Sequence, residues 1–227
     1  MKNIKLVVAY DGTNYSGWQI QPNAVTIEQV LDNAIKQLTK EDIHVTGASR
    51  TDAGVHAMGN VAVFKTNSTI PGRRWAYALN KYLPDDVVIQ ASWEVDENFH
   101  PRRCNTVKTY EYKILNTEFP FPKERNYSWH IPHSLDIENM NTAAQLLVGE
   151  HDFKSFCCVR TQAESTVRHI YSLEVVREAS NYITIRVTGN GFLYNMVRII
   201  AGTLAQVGRG KTTFQDIENM LESKDRC

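Results

Sequence analysis

The chain has 227 residues, with 25 Lys plus Arg set against 25 Asp plus Glu, 42% hydrophobic residues and 22% charged ones. That length fits one large domain or two small ones packed together, and a composition near the globular average excludes a disordered or fibrous chain. A formal net charge of +0 gives no hint of a polyanionic partner, so only local clusters of basic residues can supply one.

Ile4 to Tyr10 is rich in β-branched residues and stops at Asp11-Gly12, which predicts a strand ending in a turn. Thr26 with Gln29 has the pattern of a capping box. After it Ile27, Val30, Leu31, Ala34, Ile35 and Leu38 recur at helical spacing, so this helix should lie on a sheet. Strands are expected at Ile43 to Ala48, Asn60 to Thr66 and Val87 to Val95, and a helix at Arg73 to Tyr82 closed by Pro84.

A similar order then recurs. A strand is predicted at Val107 to Leu115, a helix from Leu135 to Val148 stopped by Gly149, and strands at Arg168 to Arg177 and Tyr182 to Val187 joined by a polar turn, Glu178 to Asn181. Helical patterns run from Phe192 to Val207 and from Phe214 to Glu222, while Asn116 to His133, rich in proline and aromatics, reads as a long irregular loop. Interleaved strands and helices in both halves predict an α+β fold. Its sheets should be largely antiparallel and flanked by helices, in two subdomains, 1–103 and 104–227, although no close internal repeat supports the halving.

The opening residues lead into only five apolar positions, Leu6 to Tyr10, too short for a secretory segment or a membrane span, which points to the cytoplasm. Cys104, Cys157, Cys158 and Cys227 form no C-x-x-C pair and are expected to be inert thiols. His130 with His133, and His151 with Asp152, lack a third and fourth ligand at recognisable spacing, so no metal site is expected. Basic residues gather at Arg73-Arg74, Arg102-Arg103 and Arg209 with Lys211. Such clusters would bind phosphates if they converged, and are otherwise solvated charges.

Gly47 to Ala57 carries an arginine, a carboxylate and a histidine within seven residues, Arg50, Asp52 and His56, between glycines that let another chain approach closely. In the predicted helix from Phe192, apolar residues surround almost the whole wheel, which implies that Arg198 is buried and must face an anion. Two rival chemistries fail on pattern. Ala205 to Thr212 lacks the first glycine and the preceding strand of a P-loop, and Ser49, Asp52 and His56 lie too close in one loop for triad geometry.

The loop Arg50-Thr51-Asp52-Ala53-Gly54-Val55-His56-Ala57 resembles the hallmark of the tRNA pseudouridine synthase A family. Further stretches follow in the family's order: Tyr10-Asp11-Gly12-Thr13 with Gly17-Trp18-Gln19, Phe99-His100-Pro101-Arg102, Lys108-Thr109-Tyr110-Glu111-Tyr112, Gly149-Glu150-His151-Asp152-Phe153, and Gly191-Phe192-Leu193-Tyr194-Asn195-Met196-Val197-Arg198. Linked motifs in order are far more specific than any one pattern.

The resemblance implies a pseudouridine synthase fold and an isomerase that converts uridine to pseudouridine in tRNA. Asp52 would be the nucleophile, Arg198 its pairing cation and Tyr110 the residue that stacks on the target base and assists at its C5. Arg50 would fill the gap left by the extruded nucleotide, with Thr51 and His56 also in the substrate site. It also implies the anticodon stem-loop, at nucleotides 38, 39 and 40, as substrate, and a homodimer gripping RNA across a basic cleft without metal or organic cofactor. Arg73, Arg74, Arg102, Arg103 and Lys108 are the candidate phosphate contacts. A noncatalytic tRNA-binding or tRNA-folding protein of the same fold is the rival expectation. Family members usually continue beyond the last helix into a strand whose apolar side chain walls the uracil pocket. Either such a tail is omitted from these 227 residues or the pocket is incomplete.

Overall fold

A computed structural model describes residues 1–158, 163–178 and 181–224. The chain divides into two compact units, Met1–Cys104 and Asn105–Cys227.

The first unit is built on β1 (Lys2–Tyr10), which lies between β3 (Ala57–Thr66) and β4 (Val87–Val95), with the short β2 (Thr46–Gly47) at the edge beside β3. All pairings are antiparallel. Alternation along β1 turns Ile4, Leu6, Val8 and Tyr10 to one face. There they are buried in one cluster with Ile27, Leu31, Ala34 and Ile35 of α1 (Ile27–Thr39) and Trp75 and Leu79 of α2 (Trp75–Leu79). Thr26 caps α1 by accepting from the Gln29 N–H. Both neighbours of β1 slip register near its end, β4 between Val7 and Val8 and β3 between Val8 and Tyr10. Such bulges bend a strand where a loop must be aimed.

The second unit holds a five-stranded sheet in the order β6-β5-β9-β8-β7. Its strands are β5 (Lys108–Leu115), β6 (Trp129–His130), β7 (Gly149–Asp152), β8 (Val167–Arg177) and β9 (Tyr182–Gly189), antiparallel except for β5 with β6. Helices α3 (Ile137–Gln145), α4 (Met196–Gly208) and α5 (Phe214–Ser223) share its core with Ile170, Leu173, Ile183, Ile185 and Val187. At α5 the capping box is complete, Thr213 and Asp216 bonding reciprocally. The whole is an α+β protein with two mainly antiparallel sheets flanked by helices. Among the described residues no helix is long and apolar enough to cross a membrane.

Several elements differ from the sequence expectation. The strand expected at Ile43 to Ala48 shrinks to Thr46–Gly47, because side chains take up its approach. Asp32 accepts from the Val45 N–H at 2.9 Å, and Glu41 bonds Thr66 and Asn67. The helix expected from Arg73 to Tyr82 is a 3-10 turn, Gly72–Arg74, followed by α2, and it ends early because the Asn80 carboxamide pairs with the backbone of Ile89. The expected loop 116–133 contains β6, tied back by Asn116 Nδ2 to the carbonyls of Ile131 and His133. Of the polar turn at 178–181, residues 179 and 180 lie outside the described residues.

β7 pairs with only the first part of β8, up to Ile170. Beyond it α3 takes over the strand edge: Asn141 Oδ1 accepts from the Val175 N–H at 3.1 Å and Gln145 Nε2 donates to the Leu173 carbonyl at 2.9 Å. Covering an edge in this way removes a template for aggregation. Asn141→Ala orphans the N–H of buried Val175. It should cost about 1–3 kcal/mol in urea unfolding, the penalty for an unsatisfied buried donor. An unchanged unfolding midpoint would show that water serves this edge equally well.

Candidate active site

In the first unit the segment after β1 and the segment before β3 are locked together. Tyr10 Oη lies 2.7 Å from Thr51 Oγ1, the Trp18 N–H donates to the Thr51 carbonyl at 3.0 Å, and the Gly54 N–H donates to the Tyr15 carbonyl at 3.2 Å. Two glycines make the approach possible. A Cβ on Gly12 would stand 2.1 Å from the Val55 carbonyl oxygen, and one on Gly17, whose φ is +88°, would stand 2.5 Å from that of Thr51. The motifs Tyr10-Asp11-Gly12-Thr13 and Gly17-Trp18 are thus the other wall of the loop that carries Asp52.

That wall is itself anchored. The Asp11 N–H donates to the Asp86 carbonyl at 2.9 Å, and the Tyr15 hydroxyl donates to Asp86 Oδ1 at 2.6 Å. Burial, and then the neighbouring Asp86 carboxylate, raise the Tyr15 phenol above its ordinary pKa, so it stays a donor throughout the physiological range. Asp52 is half-buried and sits at the tip, its carbonyl accepting from the Val55 N–H at 3.2 Å in a tight turn.

His56 faces inward to Asp11 and Gly12. Its Nδ1 lies 3.1 Å from the Gly12 nitrogen and 3.0 Å from Asp11 Oδ1, which also takes both the N–H and the hydroxyl of Thr13. One nitrogen cannot serve both neighbours at once: unprotonated it accepts from Gly12, and protonated it donates to Asp11. Either way its Nδ1 braces the loop wall.

Arg50 is exposed beside this loop. Arg102 reaches the same place from the segment after β4, its Nε donating to the Gly47 carbonyl at 2.8 Å. Partial burial, then the like charge of Arg50, lower the Arg102 pKa, so the two guanidiniums share one neighbourhood. Arg103 is also exposed. Arg73 and Arg74 are exposed on the turn before α2, with Arg74 5.8 Å from the Tyr77 ring, an arrangement belonging to a different element from the loop.

The second unit carries the other expected residues. Tyr110 is half-buried on β5, opposite Val187, and meets Phe192 edge to face at 5.1 Å and 80°. Lys108 begins the same strand, opposite Gly189. Arg198 lies on α4 and is exposed, against the burial expected from its apolar neighbours. Only Met196, Ile200, Ala201, Leu204, Ala205, Val207 and Gly208 are buried, so α4 has one core stripe and burial dictates no partner for this guanidinium. The helix also begins at Met196 instead of Phe192, because Asn195 adopts a left-handed φ of +60° at its N-cap. Phe192 is thereby left on an irregular turn against Tyr110. Among the described residues no three His, Cys, Asp or Glu side chains gather as a metal-binding group.

The sequence profile of the family described as tRNA pseudouridine synthase matches residues 6–102 and 143–227. Across its full length the chain is 50% identical to tRNA pseudouridine synthase A of Thermoanaerobacter sp. (strain X514), covering 92% of that protein. It is 49% identical to tRNA pseudouridine synthase A of Acetivibrio thermocellus and 50% identical to tRNA pseudouridine synthase A 2 of Clostridium perfringens, with the same coverage. The chain belongs to the tRNA pseudouridine synthase A family.

Asp52 and Arg198 fall inside the part that the family profile matches, whereas Lys108 and Tyr110 lie in the intervening 103–142, aligned only through the full-length relatives. Sequence reasoning passed over Asn60, which the structure puts directly beneath the family's hallmark loop. Its signal was an Asn opening the strand expected at 60–66, where Asn is disfavoured.

Gly12→Ala should separate the loop from its wall, since the new methyl meets backbone and not a yielding side chain. A loss of about 1–3 kcal/mol in denaturant unfolding is expected, the usual cost of forced overpacking. Wild-type stability would mean that the 12–18 segment does not grip the loop in solution.

Proposed function

We propose that this chain converts uridine to pseudouridine in tRNA, with Asp52 as the attacking group. The observation that supports this most is full-length similarity to proteins named tRNA pseudouridine synthase A, in a chain whose only carboxylate between Ser49 and His56 sits at the tip of a doubly anchored loop.

The reaction breaks the C1′–N1 bond of uridine, turns the base over and forms a C1′–C5 bond. The proton on C5 is released and N1 ends protonated. A carboxylate suits such a step because it bonds transiently to the substrate and leaves again. Tyr110 is proposed to stack on the target base and assist removal of the C5 proton, a role suited to a phenol held on a strand by an aromatic neighbour. Arg198 supplies positive charge to the carboxylate, and its exposed position makes that an electrostatic role separable from folding.

Extrusion of a stacked nucleotide costs a few kcal/mol, and an exposed planar cation such as Arg50 offsets part of it by stacking in the vacated place. Thr51 and His56 serve the substrate site by keeping the loop closed. Arg102, with Arg103 and Lys108, adds phosphate contacts, and Arg73 and Arg74 offer a further cationic surface. The proposed substrate is the 3′ side of the anticodon stem-loop, at nucleotides 38, 39 and 40, met in the cytoplasm by a homodimer of this chain.

Tritium release from tRNA labelled at uridine C5 tests the reading. Wild-type protein should release it, and Asp52→Asn should abolish release while leaving tRNA affinity within about tenfold, because the change removes a nucleophile and little surface. Binding without release by the wild type would favour a noncatalytic tRNA-binding protein. Arg198→Ala should slow release at least about tenfold and, as an exposed substitution, move stability by no more than about 0.5 kcal/mol. A large loss of stability with an intact rate would make Arg198 a structural residue.

A further inference from the structure

Residues 48–56, which carry Asp52, run between β2 and β3 outside either strand, and side chains of the sheet reach out to hold them. Asn60, on β3 opposite Val8 and 7% exposed, mimics a strand neighbour: its Oδ1 accepts from the Ser49 N–H at 3.2 Å and its Nδ2 donates to the Ser49 carbonyl at 3.1 Å. The same Nδ2 lies 3.5 Å from Tyr10 Oη. Tyr10, 5% exposed at the end of β1, has its hydroxyl 2.7 Å from Thr51 Oγ1.

The direction of the Asn60–Tyr10 contact follows by elimination. Since Asn60 Oδ1 accepts from an N–H, the other end of the carboxamide is the NH2 group, and it can only donate. The Tyr10 oxygen then accepts from Asn60, and the short Tyr10–Thr51 contact shares one hydroxyl hydrogen that either oxygen can supply. Hydrogen bonds of such a buried network are strengthened by the low-dielectric interior. Thr51 is therefore held at two points, by Tyr10 at its hydroxyl and by the Trp18 N–H at its carbonyl, immediately before Asp52 in the chain. On the other side of Asp52 the Val55 N–H closes the turn onto its carbonyl.

We propose that Tyr10 is a positioning residue: through Asn60 and Thr51 its hydroxyl fixes the backbone from which Asp52 attacks, without itself touching the nucleotide. The inference rests on the reading of Asp52 as nucleophile. It assigns to the buried phenol an effect on turnover out of proportion to its effect on binding or folding, because small displacements of a reacting group are costly in rate.

Tyr10→Phe keeps the ring in the core and removes only the hydroxyl. With tRNA in saturating excess, Tyr10→Phe and Thr51→Val should each lower kcat roughly tenfold or more with KM for tRNA within about twofold, and the double variant should be no slower than the slower single one. Thr51→Ser, which retains the hydroxyl, should recover most of the rate lost by Thr51→Val. Hydrogen exchange of the amides of residues 51–55 should quicken in Tyr10→Phe while amides of β1 and β4 stay protected, a readout independent of turnover. Wild-type kcat in Tyr10→Phe, additive losses in the double variant, or unchanged exchange in the loop would each overturn the proposal. An inactive wild type would instead remove the reading of Asp52 on which it rests, and tritium release by the unmodified protein shows at once which of the two has failed.

Discussion

The structure of the first unit turns on one close approach, that of the backbone at residues 12–18 to the backbone at residues 51–55. Neither glycine on that path tolerates a side chain, since a Cβ on Gly12 or Gly17 would fall 2.1 Å or 2.5 Å from a carbonyl oxygen of the facing loop. The approach has to be made where β1 stops, and both neighbours of β1 slip register just there, which turns the strand end toward the loop. The anchors to Asp86 then keep the wall from peeling away. A polar loop of this kind would ordinarily be among the mobile parts of a protein; here its freedom is spent against a framework of β-sheet.

That constraint accounts for how the chemistry is arranged. For the role proposed for Asp52, the attacking carboxylate has to be held in position against its substrate. What the protein must contribute is placement and the surrounding charge. Backbone and side-chain hydrogen bonds from Trp18, Tyr10 and Asn60 supply placement, while Arg50 and Arg102 gather cationic charge beside the loop. The second unit offers different chemistry, an aromatic pair of Tyr110 and Phe192 and a cation on α4. The left-handed Asn195 belongs to the same logic. It delays the start of α4 by a few residues and so leaves Phe192 on the turn where it meets Tyr110.

Much of this was legible in the sequence for identifiable reasons. The β-branched run of β1, stopped by Asp11-Gly12, and the period of 3.6 in α1 marked those elements, which appear where they were expected. The linked motifs marked the loop and its wall, because two backbones that approach so closely need glycine where they meet. What escaped were features set by tertiary partners. Asp32, Glu41 and Asn80 satisfy backbone groups that a strand or helix would have claimed, and they do so from outside the element concerned. The burial expected for Arg198 failed because apolar residues around a wheel do not say how many faces find a partner, and α4 finds one stripe. Asn60 was passed over because a side chain that imitates a strand leaves no periodic trace.

The measurement that bears most directly on the account is the map of pseudouridines in unmodified tRNA incubated with the purified protein. The account calls for new pseudouridine confined to the 3′ side of the anticodon stem-loop, at nucleotides 38 to 40. Tightly bound tRNA that emerges with every uridine unchanged, or pseudouridine formed elsewhere in the molecule, would contradict it.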